Sequence, residues 1–191
     1  MPQTFDVLLI CTANQCRSPM AEFLLRDVVA RRGLDWRVGS AGTHARPGRG
    51  MDEKASRLLH SRGIDVGDWC SRRVERWMLE NSQLILTATR EHRTMIVGSR
   101  PDLMARTFPL LQFAALAEVA HANALVPRPR HLTGTSSLDG TSLLEAVKSA
   151  QGQTQIQPDD VDLADPVGRS YRRFRACAEV IDRAIRQMLP D

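Results

Sequence analysis

Residues 7–26 read Val-Leu-Leu-Ile-Cys-Thr-Ala-Asn-Gln-Cys-Arg-Ser-Pro-Met-Ala-Glu-Phe-Leu-Leu-Arg. The first four form a compact apolar run with two β-branched members, the pattern of a strand buried in a parallel sheet. The run stops at Cys11. From Ser18 a Ser-Pro step is followed by Met20, Phe23, Leu24, Leu25 and Val28 at three- and four-residue spacings, which predicts the opening of an amphipathic helix. Residues 11–17 are therefore a short loop between the C-terminal end of a strand and the start of a helix. Backbone N–H groups at a helix start lack intrahelical partners and carry partial positive charge, so such a loop suits a phosphate or a similar oxyanion.

Two side chains make this loop more than a binding site. A cysteine beside a helix N-terminus and an arginine is the general setting in which the thiolate, and hence the nucleophile, is favoured, and Cys11 is the candidate. Arg17, six residues on, offers a planar fork able to hold two phosphoryl oxygens at once. The Ser18 hydroxyl can bond the sulfur or a loop carbonyl. Asn14 tolerates the left-handed backbone that a tight turn needs. The plainer readings are a half metal site made by Cys11 and Cys16, or a cysteine that is only core. Four intervening residues without a second Cys or His pair argue against the first. The joint pattern of strand, Cys, fixed spacing, Arg and Ser-Pro argues against the second.

Cys-x5-Arg followed by Ser-Pro, directly after an apolar strand, resembles the signature of the low-molecular-weight protein tyrosine phosphatases, in the form seen in bacteria. The resemblance implies an α/β fold: a three-layer αβα sandwich with a central, mainly parallel four-stranded sheet and the phosphate-binding loop after the first strand. It implies that Cys11 attacks phosphorus, that residues 12–18 (Thr12, Ala13, Asn14, Gln15, Cys16, Arg17 and Ser18) hold the phosphate, and that Asn14 shapes the loop. It also implies an acid in an Asp-Pro step before the last helix. Asp165-Pro166 lies in the run Val-Asp-Leu-Ala-Asp-Pro-Val-Gly at 161–168, ahead of a helix expected over 171–189. Asp159, Asp160 and Asp162 are weaker alternatives. No metal or cofactor is expected, because an arginine and amide dipoles supply the charge stabilisation a cation would otherwise give.

Two departures bear on substrate. Many members carry one or two rings after Asp-Pro, where this chain has Val167 and Gly168. Loss of a ring removes a stacking surface for phosphotyrosine. Gln15 replaces the apolar residue or threonine common inside the loop, and it can tune the choice between phosphotyrosine and phosphoarginine. Related arsenate reductases need two further cysteines near the strand at 84–87, and 84–106 contains none. Cys16 could pair reversibly with Cys11 and protect it from over-oxidation. The implied activity is a phosphomonoester hydrolase, a protein-tyrosine-phosphatase working through phosphocysteine. Its substrate would be a phosphorylated protein or a small phosphomonoester, with inorganic phosphate as product. The alternatives are an arsenate reductase-like enzyme or protein-arginine phosphatase of the same fold, or a non-catalytic phospho-residue-binding adaptor.

Composition agrees with this reading. The 191 residues suit one domain with ample core, with 42% hydrophobic and 25% charged residues. The net charge of +4 comes from arginines scattered among acids. That is a solvated face suited to anionic substrates rather than a nucleic-acid patch. No run reaches membrane-spanning length and residues 1–6 show no signal-peptide pattern, so a cytoplasmic location is expected, consistent with four unpatterned cysteines.

Further along, short strands are expected at 35–38, 83–87 and 106–109, and helices near 18–32, 51–62, 74–80, 91–97, 111–122 and 143–150. Ser-Ala-Gly-Thr at 40–43 is expected as a turn, and family loops over 43–49 border the phosphate pocket, which places Thr43, His44 and Val167 at the substrate entrance. Family members are commonly shorter, so part of 112–157 is expected to be an insertion.

Overall fold

A computed structural model describes residues 4–126, 139–151 and 161–190. Four parallel strands form one sheet in the order β2-β1-β3-β4: β1 Phe5–Cys11, β2 Trp36–Gly42, β3 Leu84–Thr87 and β4 Thr107–Pro109. All three pairings are parallel, with Ile10 opposite Ala41 on one side and Thr87 on the other. The helices are α1 Arg17–Arg31, α2 Glu53–His60, α3 Arg76–Asn81, α4 Arg90–Ser99, α5 Leu110–Ala122, α6 Gly140–Ala150 and α7 Tyr171–Met188, with a 3-10 turn at Pro101–Arg106.

Strand alternation divides the core into two layers. Phe5, Val7, Leu9, Cys11, Val38, Leu84 and Leu86 face α1, α2, α5, α6 and α7. Leu8, Ile10, Ala41 and Ile85 face α3, α4 and Leu103 of the 3-10 turn. Because both faces of β1 are covered, its sequence is a continuous apolar run rather than an alternating one. The three-layer αβα sandwich expected from the sequence is the fold observed, and its sheet is wholly parallel among the described residues.

The expected elements recur with shifted ends, and one boundary changes meaning. The strand expected at 35–38 runs on to Gly42, so Ser40, Ala41 and Gly42 are strand residues and the turn begins at Thr43. The extension follows from pairing: β2 matches β1 residue for residue as far as Cys11, and a partner already in place overrides the local turn preference of Ser-Ala-Gly. Gly42 is needed there, since a Cβ would lie 2.5 Å from the Thr12 carbonyl oxygen and 2.8 Å from the Asn14 nitrogen. Within 112–157, Phe113, Leu116, Ala117, Leu143 and Val147 are buried in the larger core layer. Residues 127–138 and 152–157 of that segment lie outside the described residues.

Candidate active site

The site stands at the carboxyl edge of the sheet, where β1 ends at Cys11 and α1 begins at Arg17. Asn14 holds the loop in shape. Its φ of 52° is left-handed, a conformation asparagine tolerates. The side chain is completely buried, and both its N–H groups and its oxygen are hydrogen-bonded. The Arg72 N–H donates to Asn14 Oδ1 at 2.8 Å, which sets the amide's orientation. The two Nδ2 hydrogens then go to Ser18 Oγ at 2.9 Å and Ser40 Oγ at 2.8 Å.

That geometry directs the remaining protons. Both hydroxyl oxygens accept from Asn14, so each serine is left to donate its own hydrogen. Ser40 donates to Glu22 Oε2. Ser18 lies 3.0 Å from Cys11 Sγ and 3.4 Å from the Ala41 carbonyl, so its hydroxyl is placed within donating reach of the sulfur. Glu22, only 1% exposed, anchors the chain: its carboxylate also takes Trp69 Nε1–H and pairs with Arg26 at 2.7 Å. A buried carboxylate without such partners would be costly, and here it orients the Ser40 hydroxyl that accepts from Asn14.

Around the sulfur, the loop is pinned from outside. Thr43 N–H donates to the Cys11 carbonyl and His44 N–H to the Thr12 carbonyl, each at 2.9 Å, and Asp52 N–H donates to the Gln15 carbonyl at 2.9 Å. Carbonyls therefore point away from the centre. Among the described residues, no backbone N–H of residues 12–16 donates to a protein acceptor, the arrangement of an anion cradle.

Arg17 is buried, 6% exposed. Its Nη1 donates to the Leu163 carbonyl at 3.2 Å, and Nη2 lies 2.6 Å from Asp165 Oδ2 and 3.4 Å from Thr12 Oγ1. Asp165, far along the chain, is thus delivered beside the loop. Its segment is tied to the sheet edge by Leu163 N–H to the Ala88 carbonyl at 2.8 Å and by Arg90 N–H to Asp162 Oδ1 at 2.7 Å. Asp162 is occupied with Arg90, whose guanidinium it also accepts, which leaves Asp165 as the carboxylate at the loop. Asp159 and Asp160 lie outside the described residues.

The other sequence-predicted residues divide clearly. Thr12 is exposed, and Ala13 and Gln15 are half-buried, Gln15 donating to the Gly50 carbonyl at 3.3 Å. Cys16 turns into the core, where burial above all, and then Asp52 and Cys11, push its thiol pKa up. Cys177, on α7, is pushed up to about 12 by burial, opposed by Arg17. Thr43 contributes through its backbone, its hydroxyl turned to His44 Nδ1 at 3.0 Å, while His44 and Val167 are exposed. Sequence reasoning missed Glu22 and His92. Glu22 stands four residues after Ser18, on the same helix face, and that spacing was the available signal. His92 sits in the first turn of α4, its Nε2 2.9 Å from Thr12 Oγ1. Its pKa is lowered by burial first and by Arg17 next, against Glu91, Asp165 and Asp162.

A cysteine at a strand end, an open amide cradle, an arginine at the helix start and an aspartate beside it define the class of cysteine-dependent phosphatases. Residues 6–138 match the family model of the low molecular weight phosphotyrosine protein phosphatases, and the chain belongs to that family. Among relatives, it is 30% identical to a protein-arginine-phosphatase of Bacillus subtilis over 122 residues, 64% of this chain and 79% of that one. It is 31% identical to the low molecular weight protein-tyrosine-phosphatase Wzb of Escherichia coli over 101 residues, 53% of this chain and 66% of the relative. The YwlE arginine phosphatase of Geobacillus stearothermophilus superposes with a TM-score of 0.68 at 25% identity, covering 96% of this chain and 90% of that one. The low molecular weight protein tyrosine phosphatase of T. tengcongensis shares the fold, with a TM-score of 0.70 over 97% of each chain at 23% identity. The family assignment makes this a phosphatase acting on phosphoproteins.

Proposed function

We propose that this chain hydrolyses phosphotyrosine in proteins through a phosphocysteine intermediate, with Cys11 as nucleophile, Arg17 as the phosphate grip and Asp165 as the acid. The observation that carries it is the convergence on one guanidinium: Arg17 reaches Asp165 at 2.6 Å and springs from the loop that bears Cys11. In the first step the Cys11 sulfur forms the S–P bond as the ester P–O bond breaks, and Asp165 gives its proton to the departing oxygen. In the second, water attacks phosphorus, Asp165 takes its proton, and the S–P bond breaks to free inorganic phosphate. Throughout, Arg17 and the amides of residues 12–16 hold the three equatorial oxygens. A phosphate seated there competes with Asp165 for Nη2, which frees the carboxyl group to face the leaving atom.

A second reading, phosphoarginine as the side chain removed, rests on Val167. It is 55% exposed at the position where a ring would wall the pocket, and the arginine phosphatases among the relatives favour it. The test is turnover of matched phosphotyrosine, phosphoarginine and phosphoserine peptides, with p-nitrophenyl phosphate as the general substrate. Release of phosphate from the tyrosine peptide at the highest kcat/KM supports the first reading, and a higher value for the arginine peptide replaces it with the second. Cys11→Ser is expected to bring turnover to background while inorganic phosphate still binds. Turnover retained by that variant would rule out the thiolate route, and phosphate binding without hydrolysis by the parent chain would make it an adaptor.

A further inference from the structure

We infer that His92 is a positioning residue for the phosphate grip, setting the Arg17 guanidinium through the hydroxyl of Thr12. The inference rests on the assignment of Arg17 to phosphate binding.

The placement begins with the start of α4. Thr89 caps this helix, its Oγ1 accepting from His92 N–H at 3.3 Å, and the same oxygen lies 2.6 Å from His92 Nδ1. The ring is therefore held by its own helix cap. Its far nitrogen, Nε2, is delivered 2.9 Å from Thr12 Oγ1, the first residue after the nucleophile. The strand below fixes the same approach, because Ala88 N–H donates to the Ile10 carbonyl at 2.7 Å and so ties the start of α4 to the end of β1.

Thr12 Oγ1 also stands 3.4 Å from Arg17 Nη2. A guanidinium only donates, so the Thr12 oxygen accepts from Arg17 while one proton is shared between that oxygen and the imidazole. The hydroxyl thus has two partners, neither of which is solvent. Thr12 is otherwise exposed, and among the described residues these two are its side-chain hydrogen bonds. The charged groups around the ring are Arg17 of α1, Glu91 of its own helix, and Asp162 and Asp165 of the segment after α6. A ring protonated at both nitrogens would set a second cation against Arg17. The neutral imidazole avoids that repulsion, and burial of His92, 5% exposed, favours that form.

If the ring works only through the hydroxyl, removing either partner gives the same defect, and removing both gives no more. The experiment compares the parent chain with His92→Ala, Thr12→Val, Thr12→Ser and the double variant His92→Ala/Thr12→Val. It reads inorganic phosphate affinity by calorimetry and p-nitrophenyl phosphate turnover, with a thermal melt on each. Each single loss is expected to weaken phosphate binding by roughly 10-fold, the scale of one hydrogen bond to a charged group. The double variant should match the singles, and Thr12→Ser should restore most of the affinity. Losses that multiply in the double variant, an unchanged phosphate affinity, or a Thr12→Ser variant as weak as Thr12→Val would each overturn the inference. Should His92→Ala fail to fold, the Thr12 pair carries the test, since that side chain is exposed. Failure of the catalytic reading looks different: the parent chain then binds phosphate and hydrolyses nothing, while the affinities still report on His92.

Discussion

Residues 11–18 and residues 161–169 meet at one guanidinium, yet they are held by different means. In the first, Asn14 is 0% exposed and Ser18 2%, and the hydrogen bonds spread from the Asn14 amide, which donates to Ser40 on the side of Glu22 and to Ser18 on the side of the sulfur. In the second, the Asp165 side chain is 45% exposed and its contacts are Arg17 and the N–H of Val167 at 3.1 Å. The contrast matches the roles proposed for each. A nucleophile and a cradle work best when organised before substrate arrives, so that no reorganisation is needed at the reacting centre. An acid that serves first as donor and then as base has to exchange partners, and an ion pair whose carboxylate half is open to solvent permits that.

The sharpest way to test this division is at its mobile half. Asp165→Asn is expected to lower kcat for p-nitrophenyl phosphate by roughly 10²-fold to 10⁴-fold, the usual contribution of a positioned acid. The melting temperature should move little, because the Asp165 side chain is 45% exposed and an asparagine there keeps an oxygen that accepts from the buried Arg17. An unchanged kcat would move the acid to another aspartate and dissolve the contrast. At the rigid half the expected pattern reverses toward stability. Gly42→Ala places a methyl 2.5 Å from the Thr12 carbonyl and 2.9 Å from the Ala45 Cβ. Overpacking of that kind costs about 1–3 kcal/mol, read by denaturant unfolding, and phosphate affinity should fall with it as the loop is pushed out of shape. A variant as stable as its parent would show that the loop yields more readily than its network suggests.

The smallest effect lies beside the place where the two halves touch, at His92, which reaches Thr12. Its native pKa is lowered by burial and by Arg17, so the neutral ring contributes stability that is complete above about pH 6.5, the ordinary imidazole value, and is lost as pH falls through the lowered native value. Melting temperatures taken between pH 7.5 and pH 5 should therefore drop further in the parent chain than in His92→Asn. Equal slopes would mean that the ring charges freely in place.

Much of this architecture is legible from residues alone. The apolar run 7–10, the Cys-x5-Arg spacing and the Ser-Pro helix start specify strand, loop and helix locally, because each signal is confined to a few neighbouring residues. Asp165-Pro166 is a weaker signal. By itself Asp-Pro is an ordinary turn, and only the return of the chain over the sheet edge, through Leu163 on Ala88, makes it a partner for Arg17. The extension of β2 through Ser40 to Gly42 was hidden for the same reason, since it depends on the partner strand. Glu22 reads as a solvated helix residue until α1 is packed against β2 and Trp69 is brought over it.

The sequence alone determines the chemistry available here: a sulfur, a guanidinium and a carboxylate, the first two set six positions apart between a strand and a helix. Tertiary structure decided how each is used, because hydrogen-bond direction, burial and the approach of Asp165, His92 and Arg72 to the loop arise between segments distant in the chain. No local preference encodes those meetings. They follow from covering both faces of one parallel sheet, which forces the strand ends and the helix starts to share a single edge.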